Sequence, residues 1–374
     1  MKKSYLVLFA LILTLSLVGC KRGNKDNNNN DGYDYDSIPD NKESSNGKYQ
    51  IAFVTDVGVL KDKSFNQGTW EGVKRYAFEN DKSYKYYQPA NGNNATDDDR
   101  YDAMKAAAEG GAEIIICSGY MHEPSLQRAT VDYPNVKYVF VDGWALGKEN
   151  VTAIVYKEEE SGYLAGYAAV MDGYTKLGYS GGGGGTNPAC QRFGYGYIQG
   201  ANDAAKEKGI IVKMKYSWLY GSSFSASADL QAMLNGWYST GTEVIFVAGG
   251  AMCQSAFAAA SANDGKVIGV DVDQSKDSPT VITSATKGLR EGTMYALDMF
   301  YTDKWVNISD KTVSLGAKDD AIGLPTSTWS LENFTIEEYN DLYEKIKDGT
   351  IDIDDVVAGH EDKTYSNVDL DYIK

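Results

Sequence analysis

Three aspartates each close an apolar run in this chain. Asp56 follows IAFVT, Asp142 follows KYVFV and Asp271 follows VIGV. A carboxylate at the end of a buried strand is costly to desolvate unless it accepts hydrogen bonds. By position alone such a residue is as often the cap of a following helix as a contact to a ligand. Lys287 stands in the same place after VITSAT and can only donate. Phe65 lies in the loop after the first run, just before a helix. Phe224 lies in a later loop, with Phe193 of QRF as a rival for the same role. A ring in such a loop either packs beneath it or stacks on a flat ligand, an interaction worth about 1–3 kcal/mol.

The elements that must position these residues alternate along the chain. Strand-like runs are Tyr49–Thr55, Tyr84–Gln88, Glu113–Cys117, Lys137–Val141 and Val151–Tyr156. A second set follows at Leu177–Ser180, Ile210–Lys215, Glu243–Ala248 and Lys266–Val270. Helix-like segments separate them. Thr96 with Asp99 three residues on reads as a capping box, and Gly110-Gly111 ends that helix. Alternation of this kind implies right-handed βαβ units and parallel sheets. Two successive sets imply an α/β protein of two doubly wound parallel-sheet lobes joined by a hinge, like a type I periplasmic binding protein. Lobe 1 is expected over about 49–155 with a returning segment near 281–303. Lobe 2 is expected over about 156–280 with part of the C-terminal segment. In open parallel sheets ligands lie beyond the carboxyl ends of the strands, which adds Tyr120 and Gly250 to the residues of interest.

Composition excludes several classes. The chain has 52 Asp+Glu against 36 Lys+Arg, a formal charge of −16. Nucleic acid binding would want clustered basic residues. The four cysteines, Cys20, Cys117, Cys190 and Cys253, are widely spaced with no CxxC, so neither a disulfide framework nor a metal site is expected. Only two histidines occur, His122 and His360, and neither sits in a triad-like context. No HExxH, GxSxG or complete P-loop is present, and the run Gly181–Gly185 lacks the Gly-Lys-Ser/Thr that a phosphate loop needs. No enzyme activity and no cofactor are expected.

The first residues read as an address. Lys2 and Lys3 precede an apolar run from Tyr5 to Val18, too short to span a bilayer comfortably and fitting a signal peptide. Leu17-Val18-Gly19-Cys20 resembles a bacterial lipobox, so residues 1–19 are expected to be a signal peptide and Cys20 the lipidated N-terminus. Multiple acyl chains would anchor it stably. Loss of Lys2 and Lys3 with that peptide takes the charge from −16 to −18. Residues 20–48, rich in Asn, Asp and Gly, are expected to be a disordered tether, and residues 49–374 the binding body.

The segment VTDVGVLKDKSFNQGTWEGV, Val54–Val73, resembles the opening of the basic membrane protein family of lipoproteins, and among these the purine-nucleoside receptors. DKSFNQ at Asp62–Gln67 is its most diagnostic part. FVD at Phe140–Asp142, YKEEESGYLAG at Tyr156–Gly166, AGG at Ala248–Gly250, GVDVDQ at Gly269–Gln274 and TSATK at Thr283–Lys287 follow in order. The resemblance spans nearly the whole body. It implies ligand contacts at Asp56, Phe65, Asn66, Asp142, Phe224, Gly250, Asp271 and Lys287, with Phe193 and Tyr120 beside them. It also implies base stacking by the phenylalanines and ribose recognition by Asp271 and Lys287, with Asp56 and Asp142 at the base. The segment NPACQRF and the AMC after Gly249-Gly250 depart from the family pattern.

The function so implied is capture of a purine nucleoside for an ABC importer. The expected partners are that small molecule, a transporter permease and the membrane through the lipid anchor, on the extracytoplasmic face, with the protein a monomer and no nucleic acid involved. A sugar-binding or sugar-sensing lipoprotein of the same fold is the alternative, for which the 28 tyrosines and 6 tryptophans would serve. A purely structural or adhesive lipoprotein is the third.

Overall fold

The computed structural model describes residues 33–374. Cys20, the signal peptide and the first part of the expected tether lie outside the described residues. Near-continuous apolar runs make strands covered on both faces, and β2 (Ile51–Thr55) is buried at every position. Before it comes β1 (Asn41–Lys42), and after it α1 (Phe65–Glu79), β3 (Tyr84–Tyr87), α2 (Asp97–Glu109), β4 (Ile114–Ser118), α3 (Glu123–Asp132), β5 (Lys137–Val141) and β6 (Val151–Tyr156). The box predicted at the start of α2 forms. The Asp99 N–H donates to Thr96 Oγ1 at 3.2 Å and the Thr96 N–H donates to Asp99 Oδ2 at 2.8 Å.

The second set begins with α4 (Glu158–Met171), β7 (Lys176–Gly181), α5 (Pro188–Lys208) and β8 (Val212–Ser217). It continues through α6 (Ala228–Ser239), β9 (Val244–Ala248), α7 (Cys253–Asn263), β10 (Lys266–Asp271) and β11 (Val281–Lys287). The chain then runs through α8 (Leu289–Tyr301), β12 (Thr312–Leu315), β13 (Ile322–Gly323), α9 (Ile336–Lys347) and β14 (Val368–Ile373). One sheet has the order β1-β3-β2-β4-β5-β6-β12 and the other β13-β11-β10-β9-β7-β8-β14. All pairings are parallel except β1 with β3 and β13 with β11, each at an edge. The result is the two-lobed α/β architecture that the alternation implied. Among the described residues no helix is long and apolar enough to cross a membrane.

Two expectations need correction. The returning segment does not begin at Val281. β11 pairs with β10 in the second sheet, in register from Ile268–Thr283 to Asp271–Thr286, and is buried throughout. A strand buried on both faces finds its partner inside the sheet it follows. The return is made by α8, which lies against α1 so closely that a Cβ on Gly72 would sit 2.9 Å from Arg290 Cα, and by β12, which pairs with β6.

The second correction concerns residues 33–48. They pack onto lobe 1 instead of hanging free. β1 covers the edge of β3, Ile38 is buried, and Tyr84 Oη donates to the Pro39 carbonyl at 2.6 Å. Lys74 Nζ donates to the Tyr35 carbonyl at 2.7 Å, and the Arg75 guanidinium lies 4.3 Å from the Tyr33 ring centroid. Two tyrosines and one isoleucine are little apolar surface for a core, but enough to seat a short strap on a helix that offers cations.

The lobes are joined by three crossings, after β6, after β11 and after β12. They are laced together. Tyr156 Oη donates to the Gly288 carbonyl at 3.0 Å, Lys157 N–H to Leu315 O at 2.9 Å, and Gly288 N–H to Ala321 O at 2.7 Å. Next to them α4 and α5 cross in near backbone contact. A Cβ on Gly162 would be 2.1 Å from Phe193 O, and one on Gly196 would be 2.0 Å from Glu159 O. Glycine is required at both, and this approach brings the first turn of α4 to the first turns of α5.

Candidate functional site

On the lobe 1 side, Asp56 follows β2 and is buried. Its Oδ1 accepts the Val57 N–H at 2.6 Å, and Arg100 Nε donates to its backbone carbonyl at 3.1 Å. Burial pushes the carboxyl up to about 7, against the pull of Val57 and Arg100. Gly119 makes room for it: with φ at +108° and no Cβ, the chain after β4 passes where a side chain would fall 1.8 Å from Asp56 Oδ2. Asp56 is not the cap of the following helix. That role belongs to Asp62, whose carboxylate takes the N–H groups of Ser64, Asn66 and Gln67 at 2.9, 3.0 and 3.1 Å. Burial pushes Asp62 as well up to about 7, against those three bonds. Asn66 is fixed by Nδ2 donating to Val57 O at 3.1 Å and by accepting from Ser118 Oγ at 2.6 Å.

At the other end of the cleft stands a buried charge cluster. Lys287, the last residue of β11, places Nζ 2.6 Å from Asp142 Oδ2, 3.2 Å from Glu158 Oε1 and 3.7 Å from Asp271 Oδ1. Glu158 opens α4 and also holds Arg192 of α5, Nη2 to Oε2 at 2.7 Å. Burial opposes the charge on Lys287, yet the three carboxylates hold it above the ordinary lysine value. Burial raises Asp142 to about 6 even with Lys287 in contact. For Glu158 burial is overcome, and Arg192 with Lys287 keeps it below the usual carboxylate range. Asp271 is raised by burial and accepts from Ser64 Oγ of lobe 1. Asp142 and Asp271 both have positive φ, +57° and +67°, a conformation costing about 1–3 kcal/mol that tends to persist at ligand sites. Asp142 Oδ1 is buried and has no hydrogen-bond partner.

Aromatic side chains close the walls. Phe65 begins α1, half-buried, with Lys287 Nζ 4.8 Å from its ring centroid. Phe224, also at positive φ (+55°), is half-buried in the loop after β8. Phe193 is buried on α5 and meets Phe246 edge-on at 5.7 Å, so most of its ring is spent on the core.

All of Asp56, Phe65, Asn66, Tyr120, Asp142, Phe193, Phe224, Gly250, Asp271 and Lys287 line one cavity between the carboxyl ends of the two sheets. Neither histidine lines it. Side chains outside the cavity lining also bridge lobe to lobe. Lys63 Nζ reaches Asp277 Oδ1 at 2.6 Å, Gln274 Nε2 donates to Lys63 O at 2.8 Å, and Asn93 donates to Ser225. Sequence reasoning missed Asp62, Asn187 and Cys190 in the lining, and Glu158 and Arg192 behind it. Glu158 lay inside the quoted motif YKEEESGYLAG. The signal for its role was a triple glutamate opening an otherwise apolar helix, where an unpaired carboxylate would be too costly. Cys117, Cys190 and Cys253 are buried free thiols.

Known proteins resemble this chain over most of its length. Residues 49–356 match the family described as ABC transporter substrate-binding protein PnrA-like. Basic membrane protein B of Borreliella burgdorferi is 31% identical over 296 residues, 76% of this chain and 83% of that protein. The ABC transporter nucleoside-binding protein BmpA of Lactococcus lactis subsp. cremoris is 30% identical over 261 residues, 64% of this chain and 71% of that protein. A solved ABC transporter solute-binding protein from Aeropyrum pernix K1 shares the fold, with a TM-score of 0.65 at 21% identity over 84% of this chain and 90% of that one. A charged, aromatic-walled cavity between two laced lobes thus occurs on a chain that belongs to the PnrA-like family of ABC transporter substrate-binding proteins.

Proposed function

We propose that this protein captures a purine nucleoside in the interlobe cavity and delivers it to the permease of an ABC importer. The observation that carries the reading is the division of one cavity into two chemistries. Phe65 and Phe224 give the cavity flat apolar walls, Phe65 with Lys287 Nζ 4.8 Å from its ring centroid, while Asp142, Asp271 and Lys287 form a connected polar cluster suited to a ribose. Asp142 Oδ1 is an unused acceptor there, and a sugar hydroxyl supplies the donor it lacks. Lys287 contacts both Asp142 and Asp271, which supports assigning Asp142 to the sugar in place of the base. Asp56 and Asn66 remain for the polar edge of the base. Both walls come from one chain, so a monomer suffices.

The decisive measurement is a thermal-shift and calorimetric panel of nucleosides, free bases and sugars, since a ligand that binds only the folded state raises its melting temperature. Guanosine, inosine or adenosine should bind best. Equal affinity for nucleoside and free base would sink the ribose assignment, and tight binding of a plain sugar would sink the nucleoside one. Anchoring at the outer face of the membrane through a lipidated Cys20 belongs to the same proposal. Cys20→Ser should release the protein or leave an unprocessed precursor, and unchanged membrane partitioning would count against it.

A further inference from the structure

The glycine run after β7 is not spent on a phosphate. Gly182 N–H donates to Ala248 O at 2.8 Å and Gly183 N–H to Gly221 O at 3.0 Å, so the loop is tied to its neighbours. Gly183, Gly184 and Gly185 all have positive φ, +72°, +59° and +82°, which glycine adopts without penalty. What the run accommodates is two rings. A Cβ on Gly181 would lie 2.0 Å from the Trp218 ring, and one on Gly185 3.0 Å from it. A Cβ on Gly182 would lie 2.5 Å from the Phe224 ring, and one on Gly183 3.1 Å from it. Trp218 and the cavity wall Phe224 therefore rest on one glycine run, Trp218 on Gly181 and Gly185 and Phe224 on Gly182 and Gly183 between them.

Trp218 is in turn held from the C-terminal segment. Its indole Nε1 donates to Glu361 Oε1 at 3.3 Å, and Tyr372 Oη donates to that oxygen at 2.5 Å. Tyr372 stacks on Tyr216 at 5.3 Å, and Tyr216 meets Trp218 edge-on at 5.4 Å. Glu361 and Tyr372 lie beyond residue 356, where the family match ends.

We infer that Trp218 and Glu361 are positioning residues for the Phe224 wall: the C-terminal segment sets base affinity through one indole ring and the glycine loop it seats. The inference rests on the nucleoside reading of the cavity. Losing the indole leaves the loop unsupported on one side and lets the Phe224 seat shift, while the Lys287 end of the cavity is untouched.

Calorimetry on Trp218→Ala, Trp218→Phe, Glu361→Ala and Glu361→Gln tests it, using guanosine, its free base and its 2′,3′-dideoxy analogue. Trp218→Ala should weaken nucleoside and free base alike by roughly tenfold, a loss within the range of one stacking contact. The preference for nucleoside over the dideoxy analogue should stay at its wild-type ratio. Glu361→Ala should weaken both by roughly threefold, a modest hydrogen-bond loss, and Glu361→Gln, which keeps an acceptor, should restore them. The Trp218 emission, obtained by subtracting the Trp218→Phe spectrum, should change on ligand addition. Glu361 is exposed, so its variants will fold even where Trp218→Ala does not. Wild-type affinity in Glu361→Ala, with a Trp218 emission indifferent to ligand, would overturn the inference while leaving the nucleoside reading in place. A wild-type protein that binds no nucleoside would overturn the reading itself.

Discussion

Asp56→Asn separates the cost of a buried charge from its use. Burial raises the wild-type carboxyl from 3.8 to about 7. A folded-state value above the unfolded one means that the folded protein binds the proton more tightly. The stability this contributes is whole below the unfolded value and is lost as pH rises through the folded one. With about 1.4 kcal/mol per pH unit of displacement, the unliganded wild type gives up under about 1 kcal/mol at pH 4 and on the order of 4 kcal/mol by pH 8. The Asp56→Asn protein has no proton to lose there, and its amide oxygen still accepts from the Val57 N–H. Its advantage over wild type in melting temperature should therefore be small at pH 4 and grow by several degrees toward pH 8. Other buried carboxyls, Asp62 and Asp142 among them, titrate in the same window, and the difference between the two curves isolates Asp56. Affinity should move the opposite way. Nucleoside should bind wild type more tightly as pH rises from 5.5 to 8, because the charged acceptor is the useful form, and should bind the variant more weakly and with a shallower slope, the remainder coming from Asp142. Scanning calorimetry with and without ligand across pH 4–8 reads both. Parallel melting curves at all pH values would refute the reasoning.

Lys287→Met should cost roughly 3–5 kcal/mol in urea unfolding, since it leaves buried Asp142, Glu158 and Asp271 without their shared cation; adding Asp142→Asn should recover part of that in a double-mutant cycle. Asp271→Asn should narrow the preference for a nucleoside over its 2′,3′-dideoxy analogue by about tenfold, read by calorimetry, because a charged acceptor for the diol is worth about 1.5–3 kcal/mol. Lys63→Ala removes a half-exposed bridge between the lobes worth about 0.5 kcal/mol, so ligand release in stopped flow should quicken about twofold and lose part of its salt dependence. Gly162→Ala should lower the melting temperature sharply, since its methyl meets Phe193 O at 2.1 Å and such overpacking costs about 1–3 kcal/mol or more; an unchanged melting temperature would show that α4 and α5 can separate freely.

Much of the fold was readable because buried parallel strands announce themselves. IAFVT, EIIIC, KYVFV and EVIFVA can hide their apolar side chains only between two helix layers, and their alternation with helices leaves few topologies. The strand ends marked which loops face the cleft, and the family resemblance named residues in and beside them; all ten line the one cavity. Position alone would not have chosen them, since a strand-end aspartate is as often a helix cap. Trp218, Glu361 and Arg192 carried no such mark. Their places depend on contacts between residues 143 and 34 positions apart, and nothing local encodes them.

The strap at residues 33–48 and the strand at Val281–Lys287 show where local pattern runs out. A polar segment rich in Asp and Ser looks unable to offset its ordering entropy, but one edge strand and one cationic helix face supply partners that composition does not reveal. β11 reads as a strand from its own residues. Which sheet it joins was decided by the neighbouring edge of β10, not by its own residues. The sequence by itself determined the alternating strands and helices, the strand ends and the residue types brought to them. Only the tertiary structure decided that Asp142 shares Lys287 with Glu158 and Asp271, because a buried ion pair is selected by distance in three dimensions and by the absence of water to replace it.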